Sequence, residues 1–257
     1  MKNCLKSTLL LLSFIMTSLC YSQNLGGSIE LEYYKYSVKQ IGEFMERFNM
    51  QETLVDSNDV QWKQKNLTLL FDRDTYFKMK YVADDFIRKV TTDSVTLHYN
   101  SPNWYAEAEC KAKFKGTTQT ITLYLMVEQI EHEMYKWTIV GAHGDLLQLK
   151  PDKTNPGLKI SPVDNELNFM SLNHITTTES RNIKNYVAKQ FEIDELSVLI
   201  TLIHQQVLSI EYVQKLTYHF MNVAGYDFDV QYYERNTVNA GWLISNIKIN
   251  ILIIIYS

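Results

Sequence analysis

Proline is scarce in this 257-residue chain, with four in all, and glycine numbers only nine. Such counts exclude collagen-like repeats and loop-dominated, low-complexity architecture. Cysteine is rarer still: three residues are too few for a disulfide framework. Nor is basic charge in excess. Twenty-five Lys and Arg stand against 29 Asp and Glu, a net charge of −4, so the footprint of a nucleic-acid binder is missing. No apolar stretch reaches the ~20 residues that a membrane-spanning helix needs. What is present is 46% hydrophobic and 12% aromatic residues, the composition of a chain that folds around a core. The length admits one large domain or two of ordinary size.

Lys2 and Lys6 precede the apolar run Leu9–Met16, and Thr17, Ser18, Cys20 and Ser22 follow it. A basic start, a short apolar centre and a small-residue end make 1–22 a signal peptide, cleaved after Ser22 to leave Gln23 first. The chain is therefore expected to be exported to the periplasm, the cell surface or the medium. A lipidated form would use Cys20, but bulky Leu19 stands where a small residue is wanted. Losing this leader removes two Lys and no acid, which moves the net charge from −4 to −6. It also removes Cys4 and Cys20 and leaves Cys110 alone, so no internal disulfide is expected. Cys110 falls on the apolar phase of a strand, where a buried inert thiol is expected rather than a nucleophile.

Three of the four prolines lie between Lys150 and Pro162. Proline cannot donate to a ladder and restricts the residue before it, so 148–163 reads as an inter-domain linker. It separates two α+β segments, 23–147 and 164–257, each with helices first and antiparallel strands after. In the first, Ser37 and Gln40 form a capping box, and Val38, Ile41, Met45 and Phe48 recur at helical spacing up to Asn49. A second helix after Ser57 or Asn58 carries Val60, Leu67, Leu70 and Phe71, and a third covers Ala83–Val90. From Ser94 the period becomes two, with Trp104, Ala106, Ala108, Cys110, Ala112 and Phe114 on one face. After a turn at Lys115–Gly116 come inner residues Ile121, Leu123, Leu125 and Val127, then a strand over Tyr135–Ala142.

The second segment repeats this order. Helices hold Leu167 with Met170, and Ile183 with Tyr186, Val187 and Phe191. Another begins at Asp194 and is predicted to bury Leu196, Leu199, Ile200, Ile203 and Val207. Strands follow over Leu216–Phe220, Phe228–Arg235 and Gly241–Ile249. Trp137-x-Ile139 and Trp242-x-Ile244 end the two halves, and His98-Tyr99 and Tyr218-His219 recur in strands before them. A divergent internal duplication is the reading. It predicts Trp137 and Trp242 buried against the helices of their own segments; a Trp left exposed would instead mark a binding surface.

Glu43-Phe44-x-x-Arg47-Phe48-Asn49, Leu70-Phe71-Asp72 and Lys136-Trp137-x-Ile139 resemble the nuclear transport factor 2-like fold. The second half, with Asn165-Glu166-Leu167-Asn168-Phe169 and Gly241-Trp242-Leu243-Ile244, looks like another copy. Together they are similar to tandem domains of uncharacterised exported proteins of Gram-negative gut anaerobes. The resemblance implies two cone-like domains, each with helices wrapped by a curved antiparallel sheet; it implies no reaction.

No zinc, dinucleotide, Walker or nucleophile-elbow motif occurs, so no catalytic residue, metal site or cofactor is assigned. Glu131-His132-Glu133 reads as a solvated hairpin turn. Ala106, Ala108, Cys110 and Ala112 leave volume that permits a pocket, and His98, Cys110 and His219 are the candidate ligand-binding residues. The run Ile251–Tyr256 reads as a buried strand extension or a partner-facing strand. The function expected is that of a non-enzymatic binding or interaction module, with a small apolar ligand or an envelope protein as partner. The alternative is an isomerase- or dehydratase-type enzyme on a small apolar molecule, which needs a buried ionisable group in a cavity.

Overall fold

Ile41, Phe44, Met45 and Phe48, three and four residues apart, form the buried stripe of helix α1, Ile41–Asn49. The computed structural model describes residues 41–50, 60–131, 134–150, 172–178, 180–237 and 239–250. The signal segment, the Ser37–Gln40 box, Ser57 and Asn58, Glu133 with His132, the prolines of 151–162, the Leu167–Met170 helix and the run from Ile251 lie outside them.

Helix α2 spans Val60–Thr68, α3 Arg73–Lys78 and α4 Lys80–Thr92. Asp72 caps α3 by accepting the Thr75 amide and hydroxyl, each at 3.1 Å. Strands β1 (Trp104–Phe114), β2 (Thr117–Glu131) and β3 (Met134–His143) form one antiparallel meander. Lys115 and Gly116 turn its first hairpin, both at positive φ (47° and 84°), as a tight two-residue turn requires. After short α5 (Asn173–Thr176) and a 3-10 segment (Ser180–Tyr186) comes α6, Glu195–His204. Asp194 caps α6 as expected, accepting the Ser197 amide at 2.8 Å. A second meander follows: β4 (Leu208–Val223), β5 (Tyr226–Tyr233) and β6 (Gly241–Ile249). Its first hairpin turns on Ala224 and Gly225, again at positive φ (52° and 85°).

The chain is thus α+β with six antiparallel strands, hydrogen-bonded in the order β3-β2-β1-β4-β5-β6. It divides into two compact units. One holds the described residues up to Trp104 and those from Thr217 on; the other is Tyr105–Leu216. Strand β4 begins in the second and ends in the first. The discontinuous unit therefore joins helices from before the Pro-containing stretch to strands from after it, and the contiguous unit joins β1–β3 from before it to α5 and α6 from after it.

In the discontinuous unit, α1 and α4 bury an aromatic core. Phe48 lies over Phe228 at 6.2 Å, Phe228 over Phe220 at 4.9 Å, and Phe220 over Trp104 at 5.5 Å. Phe86 of α4 meets Phe48, Phe71, Tyr226 and Phe228. Backbone bonds from Asp72 N to Ile244 O (3.0 Å) and from Ile244 N to Leu70 O (2.7 Å) fasten the α2–α3 corner to β6. In the contiguous unit, Ala108, Cys110 and Ala112 of β1 and Ile121 and Leu123 of β2 pack with Leu147, Leu199 and Leu208. The volume left by small β1 side chains is filled by Leu199 of α6 and its neighbours.

The inward phases of β1 and β2, the Lys115–Gly116 turn, the end of α1 at Asn49 and the bounds of β6 agree with the periodicity. Other expectations change. Trp242 is buried, but β6 packs on α1, α3 and α4, helices of the N-terminal segment. Trp137 is half-buried and Ile139 is 42% exposed. The reason is distance along the hairpin: Trp137 pairs with Val127, eleven residues past Gly116, whereas Trp242 pairs with Tyr232, seven past Gly225. His98 and Tyr99 lie in the loop before β1, not in a strand. Val60 is exposed, and α6 buries Leu199 while leaving Ile200 and Ile203 in water. A helix of ten residues that packs by one stripe cannot bury apolar residues on every side.

Candidate functional site

Of the three residues expected to bind a ligand, Cys110 belongs to the contiguous unit, and His98 and His219 to the other. Cys110 is fully buried among Ala108, Ala112 and Ile121. Burial, helped by the nearby charge of Glu109, pushes its thiol up to about 11, so it stays protonated and unreactive at neutral pH.

His98 stands exposed on the rim of a cleft of about 210 Å³, with Thr96, Asn103, Trp104, Phe220 and Asn222 also around it. The Thr96 hydroxyl holds His98 Nε2 at 2.9 Å. The stacked Trp104 and Phe220 rings floor the cleft and are themselves buried, so the opening presents polar groups from loops. No carboxylate lines it.

His219 lies on the face of β4 opposite its aromatic neighbours Tyr218 and Phe220. Its Nδ1 and Asp229 Oδ1 on β5 are 2.7 Å apart, across the register pair His219–Asp229. Asn246 of β6 donates to the other oxygen, Oδ2, at 2.9 Å. Burial by itself raises the Asp229 carboxyl, and the hydrogen bonds from His219 and Asn246 more than offset it, holding the group below the usual carboxylate range. An ionised Asp229 fixes the His219 ring through Nδ1. Asp229 carried no sequence signal beyond the alternation of β5, since its pairing with His219 exists only in the strand register.

The contiguous unit carries a different feature. Ile130, Met134, Ile139 and Val140 of the β2–β3 hairpin are exposed, and so are Ile200 and Ile203 of α6, which packs beside β3. At the far end of β3, Glu195 Oε2 accepts the Gly144 amide at 2.8 Å and lies 3.2 Å from His143 Nδ1. That clamp sets α6 against the strand. Of the exposed hairpin residues only Ile139 carried a sequence expectation, burial on the face it shares with Trp137, and its exposure corrects it.

Among the described residues no three His, Cys, Asp or Glu side chains gather to hold a metal. No described helix is long and apolar enough to cross a membrane. Comparison with family models, with curated proteins and with solved structures finds no match for this chain.

Proposed function

We propose that this chain is an exported, non-enzymatic interaction module whose contact surface is the β2–β3 hairpin, and that its two helix–meander halves are divergent copies of a nuclear transport factor 2-like unit. The observation that carries the functional reading is the set of apolar side chains in water there, Ile130, Met134, Ile139 and Val140, beside half-buried Trp137. Apolar side chains left in water are what a protein interface uses. The filled cores support the same reading over the isomerase alternative. Phe44, Phe48, Phe86, Phe220 and Phe228 occupy the inner side of the second meander, and Leu147, Leu199 and Leu208 that of the first. Export rests on Lys2, Lys6 and Leu9–Met16, and the duplication on the order of elements and the paired turns Lys115–Gly116 and Ala224–Gly225.

A photo-crosslinking side chain at position 139, carried by the protein in its own envelope fraction, tests the surface. A discrete adduct is expected at 139 and none at exposed Tyr81 on α4. Equal labelling at both positions, or none at either, overturns the reading. N-terminal sequencing of the same material is expected to begin at Gln23; an intact Met1 removes the case for export.

A further inference from the structure

The cleft beside His98 is walled by the loop that precedes β1 and by the β4–β5 hairpin, both in the discontinuous unit. Backbone bonds fix each wall. Between the register pairs Phe220–Phe228 and Val223–Tyr226, Met221 and Asn222 stand opposite the single residue Asp227, which makes a bulge. Asn222 sits there in the left-handed region, at φ 54°, a conformation that glycine adopts without strain. Its amide N–H donates to Asp227 Oδ1 at 2.8 Å, and Asn250 Nδ2 donates to the same oxygen at 2.9 Å. The Met221 amide donates to the Asn103 carbonyl at 2.7 Å and fastens the loop to the bulge. Further back, the Asn49 side chain binds both backbone groups of Leu97, each at 2.8 Å. None of these bonds uses the side chain of Ser101, Asn103 or Asn222, and none of those three side chains has a hydrogen-bond partner among the described residues.

We infer that this cleft binds a small uncharged polyol, of the size of one sugar ring, a role separate from the contact surface on the β2–β3 hairpin. The side chains of Ser101, Asn103 and Asn222 can each donate and accept, which is what a ring of hydroxyl groups requires. Thr96 holds His98 by Nε2, and Nδ1 is the nitrogen left to meet a hydroxyl. Val95, Val223 and Ala224 give the carbon face of such a ring an apolar wall. The volume of about 210 Å³ lies below the ~300–1,000 Å³ of sites for drug-sized ligands and suits a molecule of this size. A wholly apolar ligand would strip water from the amides and return no hydrogen bond. An ionic ligand would meet no countercharge, since none of the residues lining the cleft is Asp, Glu, Lys or Arg.

Titration of the isotope-labelled protein with D-glucose, D-galactose and N-acetyl-D-glucosamine, followed by backbone amide shifts, tests the site. At least one of these probes is expected to give saturable shifts centred on residues 95–103 and 221–225. Asn222→Gly keeps the left-handed backbone, and Asn103→Ala keeps the bonded carbonyl. Each should raise the dissociation constant about three- to tenfold, the loss expected for one hydrogen bond. Methyl glycosides of the same sugars separate two sources of the ring. Shifts that persist with them assign the end of a glycan chain, and shifts that vanish assign the free sugar. Phenol, as the apolar probe, is expected to leave these amides unmoved. The wild-type shift map reads the site even where a variant melts lower. No saturable shift, shifts scattered over the surface, or a dissociation constant unchanged in both variants overturns the inference. Phenol saturating the same amides overturns the polyol assignment. None of these outcomes bears on crosslinking at position 139, so the two readings stand or fall separately.

Discussion

Asp72 shows how one residue is stabilised by groups far away in the sequence. Its side chain is 6% exposed, and Arg235 Nη1 lies 2.8 Å from Oδ1. Burial pushes the carboxyl up, but the Thr75 amide, the Arg235 guanidinium and the Thr75 hydroxyl together hold it below the ordinary value. A carboxyl depressed in the folded state adds stability above the unfolded carboxylate value, ~4, and loses it as pH falls through the folded value. Asp72→Asn is therefore expected to flatten the acid limb of melting temperature against pH below about 4. Arg235→Ala should cost about 1–3 kcal/mol at neutral pH and likewise shrink Asp72's share of that acid limb, because losing the charged donor lets the folded value rise toward the unfolded one. An acid limb identical to wild type in both variants would show that the pair does not matter. Asp72 was legible as the end of a helix in Leu70-Phe71-Asp72. Arg235 was not, because 163 positions of chain separate the two.

Helix α4 and helix α6 present the same issue at the scale of an element. Both have apolar residues in excess of one stripe, and only packing decides which are buried. Phe86 of α4 touches four aromatic rings, so Phe86→Ala should cost about 3–5 kcal/mol in chemical denaturation. Ile200 of α6 is 58% exposed, and Ile200→Ala should stay within about 0.5 kcal/mol of wild type. Equal losses would mean that the buried face of α6 has been misassigned. The alternation of β1 worked for the reverse reason. A strand has two faces, and a run of small apolar residues against Glu107, Glu109, Lys111 and Lys113 leaves one choice of phase.

At the scale of the whole molecule, the aromatic core of the discontinuous unit joins Phe44, Phe48 and Phe86, from before the first meander, to Phe220 and Phe228, from the second. A fragment ending at Lys150 keeps the helices and loses those strands. It is expected to expose these rings and show no cooperative unfolding transition, whereas the contiguous segment Tyr105–Leu216 keeps its own core intact. A cooperative melt from the N-terminal fragment alone would mean that its helices find another partner.

Local chemistry by itself determined α+β class, the helix over Ile41–Asn49, the inward face of β1, the Asp194 cap and the Lys115–Gly116 turn, because each depends on residues within a few positions of one another. The buried, inert state of Cys110 followed from strand phase in the same way. Only the tertiary structure decided that Asp229 would meet His219, that Arg235 would meet Asp72, and that Trp242 would be buried while Trp137 is not. Those outcomes depend on strand register and on which helix covers which meander. Both are set by the collective fit of side chains that periodicity labels as apolar without saying against what they pack.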